Sequence, residues 1–182
     1  MRFQSLTAAA QALLPLQALA AAVPASTTPE VISEKTLDSG VILRVYAPLN
    51  STTQVDADAD AEPEQTIEKR DYCGESGQSF GTNDAATLSA QLQKIGPNDM
   101  TYVGHHQTVT FQWGSAKICI YNAYWSQNTH VSNWEAGWVT GYIKNKCCSG
   151  NMCGGGTAVA HGDSGLALTC QLMNSGTACP VY

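Results

Sequence analysis

The sequence predicts an α+β domain, a small disulfide-stapled antiparallel sheet with two helices packed on one face. Three observations carry this. All seven cysteines fall between residues 73 and 179, two segments show helical apolar periodicity, and four short runs alternate or concentrate strand-forming residues. Helices segregated from a series of short strands bury their stripes most economically against one face of an antiparallel sheet.

Taken in order, Asn83 is placed to cap a helix from Asp84 to Ile95, with Ala85, Leu88, Leu92 and Ile95 on one stripe. Gly96-Pro97-Asn98-Asp99 ends it. Strands follow at Met100–Val103, Thr108–Trp113 and Lys117–Tyr121; the second turns Val109, Phe111 and Trp113 inward, and in the third Ile118 and Ile120 oppose Cys119 and Tyr121. Ser132-Asn133-Trp134-Glu135 is a capping box, in which each side chain satisfies the other's backbone donor. It opens a helix to Lys146 whose broad apolar face carries Trp134, Trp138, Val139, Tyr142 and Ile143, so both tryptophans are expected in the core. Lys144 and Lys146 suit the helix's negative end. Gly154-Gly155-Gly156 reads as a turn, Leu166, Leu168, Cys170 and Leu172 as a core-facing strand, and Cys179 as a tail returning to the body.

The cysteines are Cys73, Cys119, Cys147, Cys148, Cys153, Cys170 and Cys179. Seven allow three bridges and one thiol, with the connectivity open. Cys147 and Cys148 are adjacent and poorly placed to join each other. With His161 they and Cys153 match no zinc spacing, and neither a metal nor a cofactor is expected.

Composition changes at Lys69-Arg70. Residues 1–70 hold nine acidic and five basic residues without Cys or Trp; residues 71–182 hold six acidic residues, four Lys and no Arg. Met1-Arg2, an Ala/Leu-rich run and small residues near Ala22 have the layout of a secretory signal peptide over residues 1–22. Residues 23–70 read as an acidic propeptide ending in the dibasic pair, a cleavage signal for a secretory-pathway protease, and residues 71–182 as the mature domain. The composition of that propeptide predicts an extended, mobile chain. Within it Val41–Tyr46 has strand-forming residues, read as a spacer in preference to a mask on a sheet edge, and Asn50-Ser51-Thr52 is a glycosylation sequon.

A mature domain without Arg and with net charge 4 − 6 = −2 lacks the basic face that phosphate binding needs, so nucleic acid is excluded as a partner. The signal-like run is interrupted by Gln11, Pro15 and Gln17, so stable membrane insertion is not expected. Gly162-Asp163-Ser164-Gly165 spells a string found in trypsin-like proteases, but 112 residues cannot supply two barrels, and a turn accounts for every residue. His105, His106, His130 and His161 offer bases with Glu75, Glu135 or Asp163 as partners, without a convergent acid–base set. No catalytic residue is assigned. Tyr121, Tyr124 and Trp125 lie in a stretch where they are hard to bury together and form the candidate binding patch.

Cys73-Gly74-Glu75-Ser76, Ser79-Phe80, Asn83, Val103-Gly104, His106-Gln107, Trp113-Gly114 and Cys119-Ile120 resemble the fungal necrosis-inducing-factor effector family. The second half, with a helix, closely spaced Cys, Gly and a final alternating strand, is also similar to killer toxins of smut fungi. Departures include the extra Cys147, Cys148 and Cys153, and a first helix that lacks the family's Cys. The resemblance implies a secreted extracellular effector or toxin that binds a host or competitor cell-surface or apoplastic protein or glycan. Its alternatives are a killer-type toxin acting at a membrane channel through Lys144 and Lys146, and a small secreted hydrolase using His105, His106 or His161.

Overall fold

The computed structural model describes residues 29–48, 71–74 and 78–180. The signal-like run, the sequon at Asn50, the acidic repeat, Lys69-Arg70 and Glu75 lie outside the described residues. The order is β1 (Val31–Thr36), β2 (Ile42–Tyr46), β3 (Tyr72–Cys73), β4 (Phe80–Gly81), α1 (Thr82–Ile95), β5 (Met100–Val103), β6 (Thr108–Trp113), β7 (Ala116–Tyr121), β8 (Thr129–Ser132), α2 (Asn133–Cys147), β9 (Met152–Cys153), β10 (Gly156–His161) and β11 (Ala167–Asn174). Seven strands form one sheet in the order β1-β2-β6-β7-β11-β10-β3, with every neighbouring pair antiparallel. Two short pairs, β4–β9 and β5–β8, stand apart from it. The class is α+β, as predicted.

The core lies between the sheet and the two helices. α1 turns Ala85, Leu88 and Leu92 inward, with Ile95 packed at the margin, which is the predicted stripe. They meet Val109, Phe111, Ile118, Ile120, Leu168 and Leu172 from the strands, all fully buried. The helix begins without a side-chain cap: Gly81 is its N-cap and Asn83 lies inside. The carboxylate of Asp84 instead accepts from the backbone N–H and the hydroxyl of Ser115, at 2.8 and 2.5 Å, joining the first turn of α1 to the β6–β7 turn.

The inward side of α2 differs from the expectation. Its buried residues are Asn133, Ala136, Gly137, Val139, Thr140 and Ile143, and Trp134 and Trp138 lie outside. The cause is the close approach of the helices: a β-carbon on Gly137 would lie 2.7 Å from the carbonyl oxygen of Ser89 and 2.9 Å from the backbone nitrogen of Gln93. Small residues permit that distance, and indole rings have no room in it. The capping box is half formed. Ser132 Oγ accepts from Glu135 N at 3.0 Å, but the Glu135 carboxylate accepts from the backbone N–H of His161.

The second face of the sheet is also covered at its centre, over β7 and the first part of β6. Every residue of β7 is buried, as are Thr108 and Thr110 of β6. Lys117 is among them; it donates to the carbonyls of Ser175 and Thr177 in the returning tail, and burial first, then the positive charge of Arg44, lowers its pKa. Cys119–Cys179 fastens the tail there, Cys73–Cys147 ties β3 to the end of α2, and Cys148–Cys153 closes a small loop. Cys170 is the remaining thiol, fully buried.

Residues 31–46 correct the spacer reading. β1 and β2 form a hairpin, and β2 adds to the sheet beside β6 with Ile42 opposite Gln112, Leu43 opposite Phe111, Arg44 opposite Thr110 and Val45 opposite Val109. Val41 is fully buried in the core, while Leu37, Leu43 and Val45 pack against it. An apolar, β-branched run placed beside an open edge finds ladder partners and a hydrophobic surface together, which outweighs the polar composition around it.

Candidate functional site

α2 carries a row of aromatic residues that reaches the surface. Trp134, Trp138, Tyr142 and Lys146 follow at intervals of four, hence along one stripe. Trp134 and Trp138 are 41% and 42% exposed, so each offers nearly half its surface to a partner. The rings of Trp138 and Tyr142 stack with centroids 5.6 Å apart and planes 16° from parallel. Lys146 Nζ lies 5.6 Å from the centre of the Tyr142 ring and 3.1 Å from Asp71 Oδ2, and the Tyr142 hydroxyl donates to that carboxylate at 2.6 Å.

The Cys73–Cys147 bridge explains this meeting, because it fixes β3 and the adjoining Asp71 beside the last turn of α2. The hydrogen bond from Tyr142, helped by the Lys146 ammonium, holds the Asp71 carboxyl below its usual range against the opposing effect of burial. The same pairing raises the pKa of Lys146. Lys144, the other predicted contact, donates to Asn145. The stripe is therefore aromatic for three positions and ends in a paired cation.

A second corner holds the predicted aromatic patch, and divides it. Tyr121 is buried, Tyr124 is partly buried, and Trp125 is open. Tyr121 does not serve as an exposed platform: it ends β7, and its hydroxyl lies 3.1 Å from His106 Nδ1. His106 sits in the left-handed region at φ 50°, with its ring edge-on to Trp125 at 4.3 Å. Its Nε2 is buried, with no hydrogen-bond partner among the described residues. Burial, then the neighbouring His105, pushes its pKa down. His105 is exposed and tied through its backbone N–H to Asn128.

The remaining histidines stand elsewhere. His130 Nδ1 is 3.1 Å from Asp163 Oδ2, and Asp163 also accepts from the His130 backbone and the Thr129 hydroxyl. The backbone bond, first among these, lowers the Asp163 pKa against the opposing effect of burial. Ser164 donates its one hydroxyl proton to Thr129 Oγ1 at 2.7 Å and so not to an imidazole. The Gly-Asp-Ser-Gly string is the turn between β10 and β11, closed by the Gly165 N–H to Gly162 O, with Gly165 at φ 82°. His161 Nδ1 is 3.9 Å from Glu135.

Among the described residues, no group of three His, Cys, Asp or Glu could hold a metal ion, and no helix is long and apolar enough to cross a membrane. The chain matches no protein-family profile, no curated protein and no solved structure. The stripe on α2 is a feature that sequence reasoning placed in the core; the signal that reveals it is the small-residue set Ala136, Gly137 and Thr140 on the buried side of the helix, away from the stripe.

Proposed function

We propose that the chain is a secreted effector or toxin, released from its acidic leader at Lys69-Arg70, whose Cys-stapled body binds a target on a host or competitor cell through the outward face of α2. The observation that carries this is the exposed pair Trp134 and Trp138, the second stacked on the half-buried Tyr142. Exposed tryptophan on a rigid, cross-linked frame presents large apolar area with little conformational entropy left to lose on binding. The likeness of the sequence to necrosis-inducing and killer-type families supports the same class.

The test is the paired substitution Trp134→Ser and Trp138→Ser in the full chain. Cell death on plant leaves, or growth inhibition of fungi, should be lost while the thermal midpoint stays within a few degrees. Full activity of that variant on every responding cell would sink the proposal. Lys144→Ala tests the channel alternative separately, since that side chain lies outside the aromatic stack.

A further inference from the structure

The outer edge of β6 is a strand-acceptor site, and its occupant in the structure is the chain's own leader. Four residue pairs join β2 to β6. Two side-chain bonds reinforce the ladder: Gln107 Nε2 donates to the carbonyl of Tyr46 at 3.0 Å, and the Arg44 guanidinium donates to Gln112 Oε1 at 2.5 Å. Behind the ladder Val41 is fully enclosed in the core, and Gly40 packs so closely on Trp113 that a β-carbon there would lie 2.8 Å from the indole. β1, exposed at all six positions, pairs with β2.

We propose that residues 31–46 remain bound to β6 as a separate polypeptide after the chain is cut at Lys69-Arg70, so that the processed protein is a two-chain particle. This rests on the processing proposed above. No cysteine precedes residue 73, so once the connector is cut the hold is entirely non-covalent. Departure of the hairpin would leave one side of the β6 backbone without its ladder and open the volume that Val41 fills, at the cost of unpaired edge groups and lost packing. The released hairpin gains little in return, because two strands alone are marginal in water. Retention also has a consequence at the His105–His106 loop. Gln107, which grips Tyr46, accepts the backbone N–H of Gly104 through its other side-chain atom at 2.7 Å, so the bound leader braces that loop.

The experiment cuts the folded full chain in vitro with a dibasic-specific protease; Lys69-Arg70 is the only adjacent basic pair in the sequence. Native size exclusion at micromolar concentration, followed by denaturing mass analysis of the peak, should find both fragments together. With Val41→Asp the leader fragment should elute separately after cutting. Should Val41→Asp prevent folding of the uncut chain, hydrogen exchange on cut wild-type protein decides: β6 amides that face β2 should keep the protection they have in the uncut chain. A leader that separates from a folded monomeric body overturns the proposal in favour of an open edge. A leader that separates while the body dimerises overturns it in favour of pairing between two copies. Intact-mass analysis of secreted material reads the processing independently, since a first residue other than Asp71 contradicts the cut and leaves the binding result standing.

Discussion

The hydroxyl of Ser89 donates a 2.7 Å hydrogen bond to the carbonyl of Gly137, joining the two helices where they come closest. Gln93 Nε2 donates in turn to Ser89 Oγ. This contact decides which side of α2 is buried, and so why its tryptophans are outside.

Gly137→Ala should destabilise the protein by about 1–3 kcal/mol, the usual range for overpacking against backbone that cannot move aside. Chemical denaturation checks this. Trp138→Ala, at an exposed position on the same helix, should cost far less. Equal losses would mean that the helix contact is looser than the distances indicate.

Asp84→Ala should cost about 1.5–3 kcal/mol, because a charged acceptor of two hydrogen bonds from Ser115 is lost. The hydroxyl of Ser115, then its backbone N–H, lowers the Asp84 pKa below 3.8. A carboxyl depressed on folding contributes stability that is fully present above its unfolded value and is lost as pH falls through its folded value. The acid limb of the stability–pH curve should therefore be shallower in Asp84→Ala. Asp71 and Asp163, more exposed and also depressed, add to that limb.

His106 acts in the opposite part of the range. Its folded pKa lies below the ordinary 6.5, so between the two values the unfolded chain binds more protons and stability falls on acidification. His106→Asn removes the titration while keeping a residue that tolerates the left-handed backbone. The decline in thermal midpoint below about pH 6.5 should then be reduced. An unchanged slope would assign that decline to other groups.

Cys170 should resist alkylation in the native protein and react after unfolding. It is fully buried, and burial pushes its thiol up to about 12. Mass analysis after treatment with iodoacetamide, with and without denaturant, should show no adduct and one adduct respectively. An adduct on native protein would mean that the core opens readily around β11.

Local pattern carried a good deal of this fold. Met100–Val103 and Thr108–Trp113 are strands at the predicted bounds, and the Ala85–Leu88–Leu92 stripe faces the core. These depend on residues near in sequence. The orientation of α2 does not. At about 100° per residue, Val139 lies at one margin of the buried sector and Gly137, facing Ser89 and Gln93, at the other, with Ala136 and Thr140 at its centre. Bulk apolarity points at the tryptophans, whereas packing distance selects the small residues. β8 and β10 were missed because Thr129–Ser132 and Gly156–His161 are short or rich in small residues and gain strand character from β5 and β11. The β1–β2 hairpin was obscured for a related reason: acidic composition averaged over 48 residues concealed one six-residue run with an edge to join. At the candidate site, the openness of Trp125 was legible, and the burial of Tyr121 beneath His106 was not.

The strand order sets β2 and β3 five neighbours apart, near opposite margins of the sheet, although they are consecutive in the chain. At about 4.8 Å per neighbour, the distance across is roughly 24 Å. The 22 residues between Pro48 and Asp71 can reach about 75 Å at full extension. Covalent length therefore places no tension on either margin. The proposed cut in this span would relieve no pull, and whether residues 31–46 stay would be decided at their seam with β6 alone.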